Sequence, residues 1–109
     1  NLITPSYAAG TLTVPAGGAG TYRVNCHFGW SGTASKAWVF YLYKNTDTQF
    51  AEAVSATGGA GIPSQYVTAF GGCIALAAAD VVSLYVKSTD GGTSFTMAYG
   101  ELFMERIGA

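Results

Sequence analysis

The sequence predicts an all-β fold, an antiparallel sandwich or jelly roll. Apolar side chains recur at every second residue in several runs, which is the period of a strand. Glycine- and alanine-rich patches separate the runs at near-regular spacing, and no run has a helical period. A seven-stranded immunoglobulin sandwich is the rival, but it expects a tyrosine two residues before the second cysteine. Gly71 stands there, ahead of Cys73, so the jelly roll is favoured.

The first half of the chain is expected to form an extended lead-in and four strands. Residues 1–10 form the lead-in, and residues 11–15 form a short edge strand that ends at a proline. Residues 21–30 alternate cleanly. The side chains expected on the buried face of that strand are Tyr22, Val24, Cys26, Phe28 and Trp30. Residues 48–55 are read as a strand, with a short helical turn as the alternative.

The strand at residues 37–44 is apolar on both faces. Trp38, Phe40 and Leu42 share one face, and Val39, Tyr41 and Tyr43 share the other. A strand of this kind is covered on both sides. In an antiparallel sandwich the second cover must come from elsewhere, and a neighbouring subunit is the simplest source.

The second half is expected to hold a hairpin and a long final strand. Two apolar runs, residues 73–76 and 81–86, are joined by a corner that ends at Asp80. Residues 88–92 form a turn, since Asp-Gly tolerates positive φ. Residues 94–107 form the last strand, in which Gly100 marks a bulge or a close approach of the backbone.

The composition indicates one oligomeric domain of 109 residues. Half of the residues are apolar and only 10% are charged, against about a quarter in average soluble domains. So few charges leave apolar surface exposed, which usually marks an interface. A net charge of −1 offers no basic footprint for nucleic acid, and no run approaches the ~20 apolar residues of a membrane helix. Because the chain begins at Asn1 without a methionine, we expect it to be part of something longer.

The two cysteines, Cys26 and Cys73, are expected inside strands as free thiols, since a free cysteine behaves as a small buried hydrophobe. A single disulfide is the alternative. Neither state fixes the compartment.

Several motifs follow one another in an order typical of one family. They are Val14-Pro15 before Gly20-Thr21-Tyr22, the aromatic strand that closes on Lys44-Asn45, Gly71-Gly72 through Asp80 to Val86, and Gly100-Glu101-Leu102. In this order they resemble the globular head of complement component 1q and the tumour-necrosis-factor superfamily. Ala79 stands where the family usually has glycine, and Ala98 stands where it usually has an aromatic residue. The short loops look like the compact versions on phage fibres and bacterial surface filaments.

This resemblance implies a jelly-roll sandwich of about ten strands, assembled as a homotrimer. Tyr41, Tyr43 and Phe103 are then the expected subunit contacts, because aromatic side chains are enriched at interfaces. Some relatives bind calcium near the trimer top. The turn residues Asp47, Asp80 and Asp90 are therefore the candidate calcium ligands, although Asp80 as a cap of its own corner is the preferred interpretation.

No pattern for catalysis stands out. His27 is the single histidine and lies on the polar face of its strand, and no Gly-x-Ser-x-Gly elbow is present. The glycine-rich residues 16–20 lack the Lys-Ser/Thr ending of a phosphate-binding loop. Trp30 and Tyr66 are candidates for stacking on a ligand at the loops; the alternative is that Trp30 closes the end of the core.

We therefore expect a non-enzymatic, trimeric head of a virion fibre, spike or capsid-decoration protein. Located on a virion surface or outside the cell, it would bind a host-surface receptor or glycan through multivalency. It needs no cofactor beyond the candidate calcium, and neither nucleic acid nor membrane insertion is expected. The alternatives are the tip of a bacterial collagen-like filament, a secreted complement-1q-like ligand, and a purely structural trimerisation module.

Overall fold

A computed structural model describes residues 11–59 and 65–109. The strands are β1 Thr11–Thr13, β2 Gly20–Gly32, β3 Ala37–Lys44, β4 Thr48–Ala56, β5 Tyr66–Leu76, β6 Val81–Ser88 and β7 Phe95–Gly108. The predicted lead-in at residues 1–10 lies outside the described residues. No helix long and apolar enough to cross a bilayer is found within residues 11–59 and 65–109.

The strands form two antiparallel sheets that pack as a sandwich, which confirms the all-β prediction. One sheet has the order β1-β6-β3-β4 and the other has the order β5-β2-β7. These orders differ from the immunoglobulin arrangement, in which strands 1, 2, 5 and 4 share one sheet. The described part of the chain contains seven strands, fewer than the ten or so that the resemblance implies.

The core follows from the period-two patterns of the central strands. The predicted inward face of β2, from Tyr22 to Trp30, is buried, as are Trp38, Phe40 and Leu42 of β3. The ring centre of Phe40 lies 4.9 Å from that of Phe28 and 5.1 Å from that of Trp30. Because these rings come from both sheets, the aromatic cluster joins the two layers.

The hairpin predicted around Asp80 is wrong. β5 pairs with β2 in the three-stranded sheet, whereas β6 pairs with β1 and β3 in the four-stranded sheet. Leu76 and Val82 therefore point into the same core from opposite sheets. The apolar runs on either side of the corner are two walls of the sandwich, which a period-two pattern alone does not distinguish from two paired strands.

The backbone of β7 approaches that of β2 closely at Gly100, as the sequence predicts. A Cβ atom on Gly100 would lie 2.8 Å from the Cβ of Phe28, closer than side chains tolerate. One of the two irregularities in the β2–β7 pairing lies beside this glycine, because Gly29 faces Tyr99 while Trp30 faces Met97. Ala98 is thus the additional residue of the bulge.

Candidate functional site

The outer side of the three-stranded sheet is the most distinctive surface of the molecule. We call it the three-strand face. Four rows cross it from β5 through β2 to β7: Val67–Gly29–Tyr99, Ala69–His27–Glu101, Gly71–Asn25–Phe103 and Cys73–Arg23–Glu105. Phe28, Cys26 and Val24, between these rows on β2, point into the core.

On this face the exposed side chains of β7 are large, whereas most of those of β5 are small. Phe103 and Tyr99 are 47% and 46% exposed, and Ile107 near the end of β7 is 46% exposed. Opposite them, β5 contributes the small exposed residues Ala69, Gly71, Cys73 and Ala75. We call the β7 side chains from Tyr99 to Glu105 the ridge, and these four small residues the trough.

A shallow depression of about 320 Å³ lies between the ridge and the trough. Its lining includes Asn25, His27, Gly71 and Phe103. Gly71 allows β5 to approach β2 closely at this depression, because a Cβ atom there would collide with the carbonyl oxygen of Val24 and with the side chain of Asn25. Phe70 and Phe103 also line the depression, so aromatic residues and polar groups of β2 bound it together.

Tyr99 lies flat over β2 at the end of this face. A Cβ atom on Gly29 would collide with the Tyr99 ring. Glycine is thus required at position 29 for the ring to pack there, and Gly29 is buried beneath it. The sequence contains this pair as an isolated glycine in a strand and an aromatic residue far along the chain, and only the register brings them together.

Two pairs of ionisable side chains cross the face between the apolar groups. The Arg23 guanidinium donates from Nη1 to Glu105 Oε1 at 3.1 Å, and His27 Nε2 lies 3.5 Å from Glu101 Oε1. The charged pairs and the aromatic side chains therefore alternate along the ridge. Neither glutamate was singled out from the sequence, since their partners lie on a strand distant in the chain.

The three predicted subunit contacts occupy opposite sides of the sandwich. Phe103 belongs to the three-strand face, whereas Tyr41 and Tyr43 lie on the outer side of the four-stranded sheet. There the Tyr43 ring centre is 6.0 Å from that of Tyr41 and 5.3 Å from that of Tyr85. Burial, and after it the charge of Glu52, raises the pKa of Tyr41. Tyr85 completes this patch. The sequence indicates its outward position, because Tyr85 alternates with Leu84 and Val86 along β6.

The three candidate calcium ligands do not meet. Asp80 and Asp90 lie beyond opposite ends of β6, which at ~3.3 Å per residue is roughly 26 Å long. Among the described residues no group of three histidine, cysteine or acidic side chains is placed to hold a metal. The carboxylate of Asp90 instead accepts a hydrogen bond from the backbone N–H of Ala37 at 2.9 Å, and that of Asp47 accepts one from the Thr48 hydroxyl at 2.9 Å.

Asp80 caps its own corner, as preferred from the sequence. Its carboxylate accepts hydrogen bonds from the backbone N–H of Ala77 at 2.8 Å and from the side-chain amide of Asn45 at 2.9 Å. The Asn45 oxygen in turn accepts from the N–H of Val81 at 2.9 Å. The two hydrogen bonds to its carboxylate hold the pKa of Asp80 below its usual value, and the bond from Asn45 has the larger effect. They fasten the β3–β4 turn to the corner between the two sheets.

The two candidate stacking residues lie at one end of the core. Trp30 is 0% exposed, and its indole N–H donates to the Thr68 hydroxyl at 2.9 Å. The Tyr66 ring centre is 5.0 Å from that of Trp30, and its hydroxyl accepts from the N–H of Gly58 at 2.7 Å. The indole thus presents no face to a ligand, and Trp30 closes the core end.

The two cysteines are both free, in agreement with the favoured prediction. Cys26 is buried, and burial raises the pKa of its thiol to about 12. Cys73 is exposed in the trough, on the opposite side of the sheet. Only Cys73 is therefore accessible for reaction.

Comparison of the sequence with models of protein families and with curated proteins finds no significant match. The assignment of a function therefore rests on the surface described above and on the motifs quoted from the sequence.

Proposed function

We propose that this domain is a non-enzymatic, homotrimeric jelly-roll head that assembles through the three-strand face. In the setting favoured by the resemblance, a virion fibre, spike or capsid-decoration protein, it presents its remaining surface to a host-surface receptor or glycan. Three linked copies then supply avidity without strong individual sites.

The strand orders support the jelly-roll part of this proposal. β6 lies between β1 and β3, and β2 lies between β5 and β7, so neighbours in each sheet come from distant parts of the chain. Successive strands change sheet at every connection except the β3–β4 turn. Long crossings of this kind arise when Greek keys are wrapped into two packed sheets.

The observation that carries the trimer is the exposure of large apolar side chains on one face. Of the five large apolar residues exposed in the described part of the chain, Val67, Tyr99 and Phe103 lie on the three-strand face and Ile107 lies near its end. Large apolar side chains that are exposed together on one face are typical of an interaction site, although here the row of His27 and Glu101 separates Tyr99 from Phe103. Only a tenth of the residues are charged, so little else on the surface opposes association.

The shape of the face allows two kinds of contact between copies. The ridge and the trough are unlike surfaces at opposite edges of one sheet. The ridge of one copy can meet the trough of the next in a heterologous contact, which closes into a ring when the rotation between copies is right, or two copies can make this contact twice about a twofold axis. Threefold symmetry is the one that the resemblance implies. Tyr41 and Tyr43 lie outside this face, so their predicted role at an interface requires a second contact surface and stays a prediction.

The mass of the chain in solution tests the proposal. Light scattering coupled to gel filtration, over a range of loading concentrations at pH 7, is expected to give three times the 11.2 kDa chain mass. A mass of 11.2 kDa at every concentration contradicts the trimer, and a stable dimer contradicts the heterologous ring.

A further inference from the structure

The centre of the three-strand face carries an ionisable pair. His27 on β2 and Glu101 on β7 are register partners, with Nε2 3.5 Å from Oε1. Their row lies between the row of Tyr99 and the row of Phe103. The side chains of the pair are 46% and 70% exposed in the single chain, so water solvates both of them before assembly.

Among the residues that the structure describes, no other cation on this face is free to pair with Glu101. Arg23, two rows away, is bound to Glu105 at 3.1 Å. On the β5 side the register partner of His27 is the uncharged Ala69. The further titratable groups of the face, within the described residues, are the phenol of Tyr99 on β7 and the thiol of Cys73 on β5.

We propose that assembly through the three-strand face takes up a proton at each His27–Glu101 pair, so that mild acidification tightens the trimer. This inference rests on the proposed function, because it concerns how the same face is regulated. The change falls in the range in which histidine side chains ordinarily gain their charge, between about pH 8 and pH 6.

The direction of the pH effect on association follows from the charge that association buries. Above about pH 6.5 a solvated histidine is neutral and a solvated glutamate is charged. If the face is covered in that state, the carboxylate of Glu101 loses water without gaining a cation, which is costly. One proton removes that cost, either on His27, which makes an ion pair, or on Glu101, which makes a neutral hydrogen-bonded pair. Both outcomes bind one proton per pair, so the direction does not depend on which residue holds it.

Linkage gives the size of the effect. One proton taken up per pair changes the association constant by up to about tenfold per pH unit for each pair, hence up to about a thousandfold for the three pairs of a trimer. Below about pH 6 the solvated histidine is already charged and the dependence levels off. Below about pH 4 the solvated glutamate is protonated and the trimer weakens again.

The test measures trimer dissociation by light scattering on dilution series of the full chain at pH 6, 7 and 8. Wild type is expected to dissociate at progressively lower concentration as the pH falls. His27→Gln is expected to weaken the trimer at pH 7, and any dependence on pH that it keeps must come from protonation of Glu101 itself and continue below pH 6 instead of levelling off. Glu101→Gln is expected to reverse it, because a protonated His27 would then be a buried cation without a partner. Glu105→Gln is the matched control: its arginine is charged throughout this range, so the slope with pH is retained.

The outcomes separate this inference from the trimer itself. A trimer whose dissociation is the same from pH 6 to pH 8 overturns the proton uptake and leaves the proposed function standing. A dependence that survives in both His27→Gln and Glu101→Gln also overturns it, since the proton is then bound elsewhere. A wild-type chain that is monomeric at every pH overturns both proposals.

Discussion

Replacement of Phe103 by serine is the sharpest test of the three-strand face. The side chain is 47% exposed, and a phenylalanine offers roughly 200 Å² in total. About 95 Å² therefore remains to be covered on assembly, worth about 2.4 kcal/mol at roughly 25 cal/mol per Å². Because tenfold in affinity is about 1.4 kcal/mol, each interface is expected to weaken by up to about 50-fold.

Val54→Ser is the matched control for this change. Val54 is 70% exposed and lies on β4, in the other sheet. Its replacement removes a similar area of exposed apolar surface without touching the three-strand face. The dissociation of each trimer is followed by light scattering on dilution at one pH, and circular dichroism verifies that both variants keep the fold.

The comparison can fail in two informative ways. If the dissociation constant of the Phe103→Ser trimer is within about threefold of the wild-type value, the phenyl group contributes little to association and the ridge is not the contact. If Val54→Ser weakens the trimer as much as Phe103→Ser, general stickiness of a poorly charged surface explains association better than one face does.

Three further predictions concern the fold and its corners. Phe40→Ala is expected to lower the free energy of unfolding by about 3–5 kcal/mol, since the ring fills the core between the sheets; urea titration checks this against the milder Phe40→Leu. Asp80 has a lowered pKa, so its stabilising effect is present above about pH 4 and is lost as the pH falls further. Wild type is expected to lose more stability than Asp80→Asn in that range, and equal thermal midpoints in calcium and in chelator would exclude a structural calcium site there. In native protein a thiol reagent is expected to label Cys73 alone, and labelling of Cys26 before unfolding would contradict its burial.

The sequence predicts the layers of this fold better than their connections. Alternation on β2 places Cys26 in the core, as the structure confirms, and alternation on β3 separates the set of Trp38 from that of Tyr41, although only the structure shows that the set of Trp38 faces the core. Such patterns depend only on the two-residue period of a strand. The pairing of β5 with β2 depends instead on contacts distant in the chain, so the predicted hairpin around Asp80 failed.

The corner itself shows how far local chemistry reaches. Asp80 could be read as a cap because an aspartate next to a turn often binds its own backbone. Its bond with Asn45 could not, because that residue lies in another turn and reaches the corner only after the sandwich has formed. Ala79 adopts φ +73°, a conformation that favours glycine, and it stands where the resembled family usually has that residue.

The sequence did not predict that the residues of the three-strand face form one site, although it placed some of them individually. Phe103 was expected at an interface, and His27 was placed on the polar face of its strand. What the sequence could not supply is the register that sets Glu101 beside His27 and Glu105 beside Arg23. A shift of one residue between β2 and β7 would turn the glutamates into the core.

The alternation of aromatic and charged rows gives this face more than adhesion. Successive rows lie two residues apart along a strand, which is roughly 6.6 Å. In the proposed trimer the trough of a neighbouring copy carries small, uncharged side chains in every row, so it would remove water from the carboxylates of Glu101 and Glu105 at any alignment. Phe103 and Tyr99 would thus favour contact, whereas each carboxylate would oppose it unless a positive partner on β2 compensates its charge. Arg23 supplies that charge to Glu105, and the row of His27 and Glu101 obtains it only through the proton uptake proposed above, which is why the strength of assembly is expected to respond to acid.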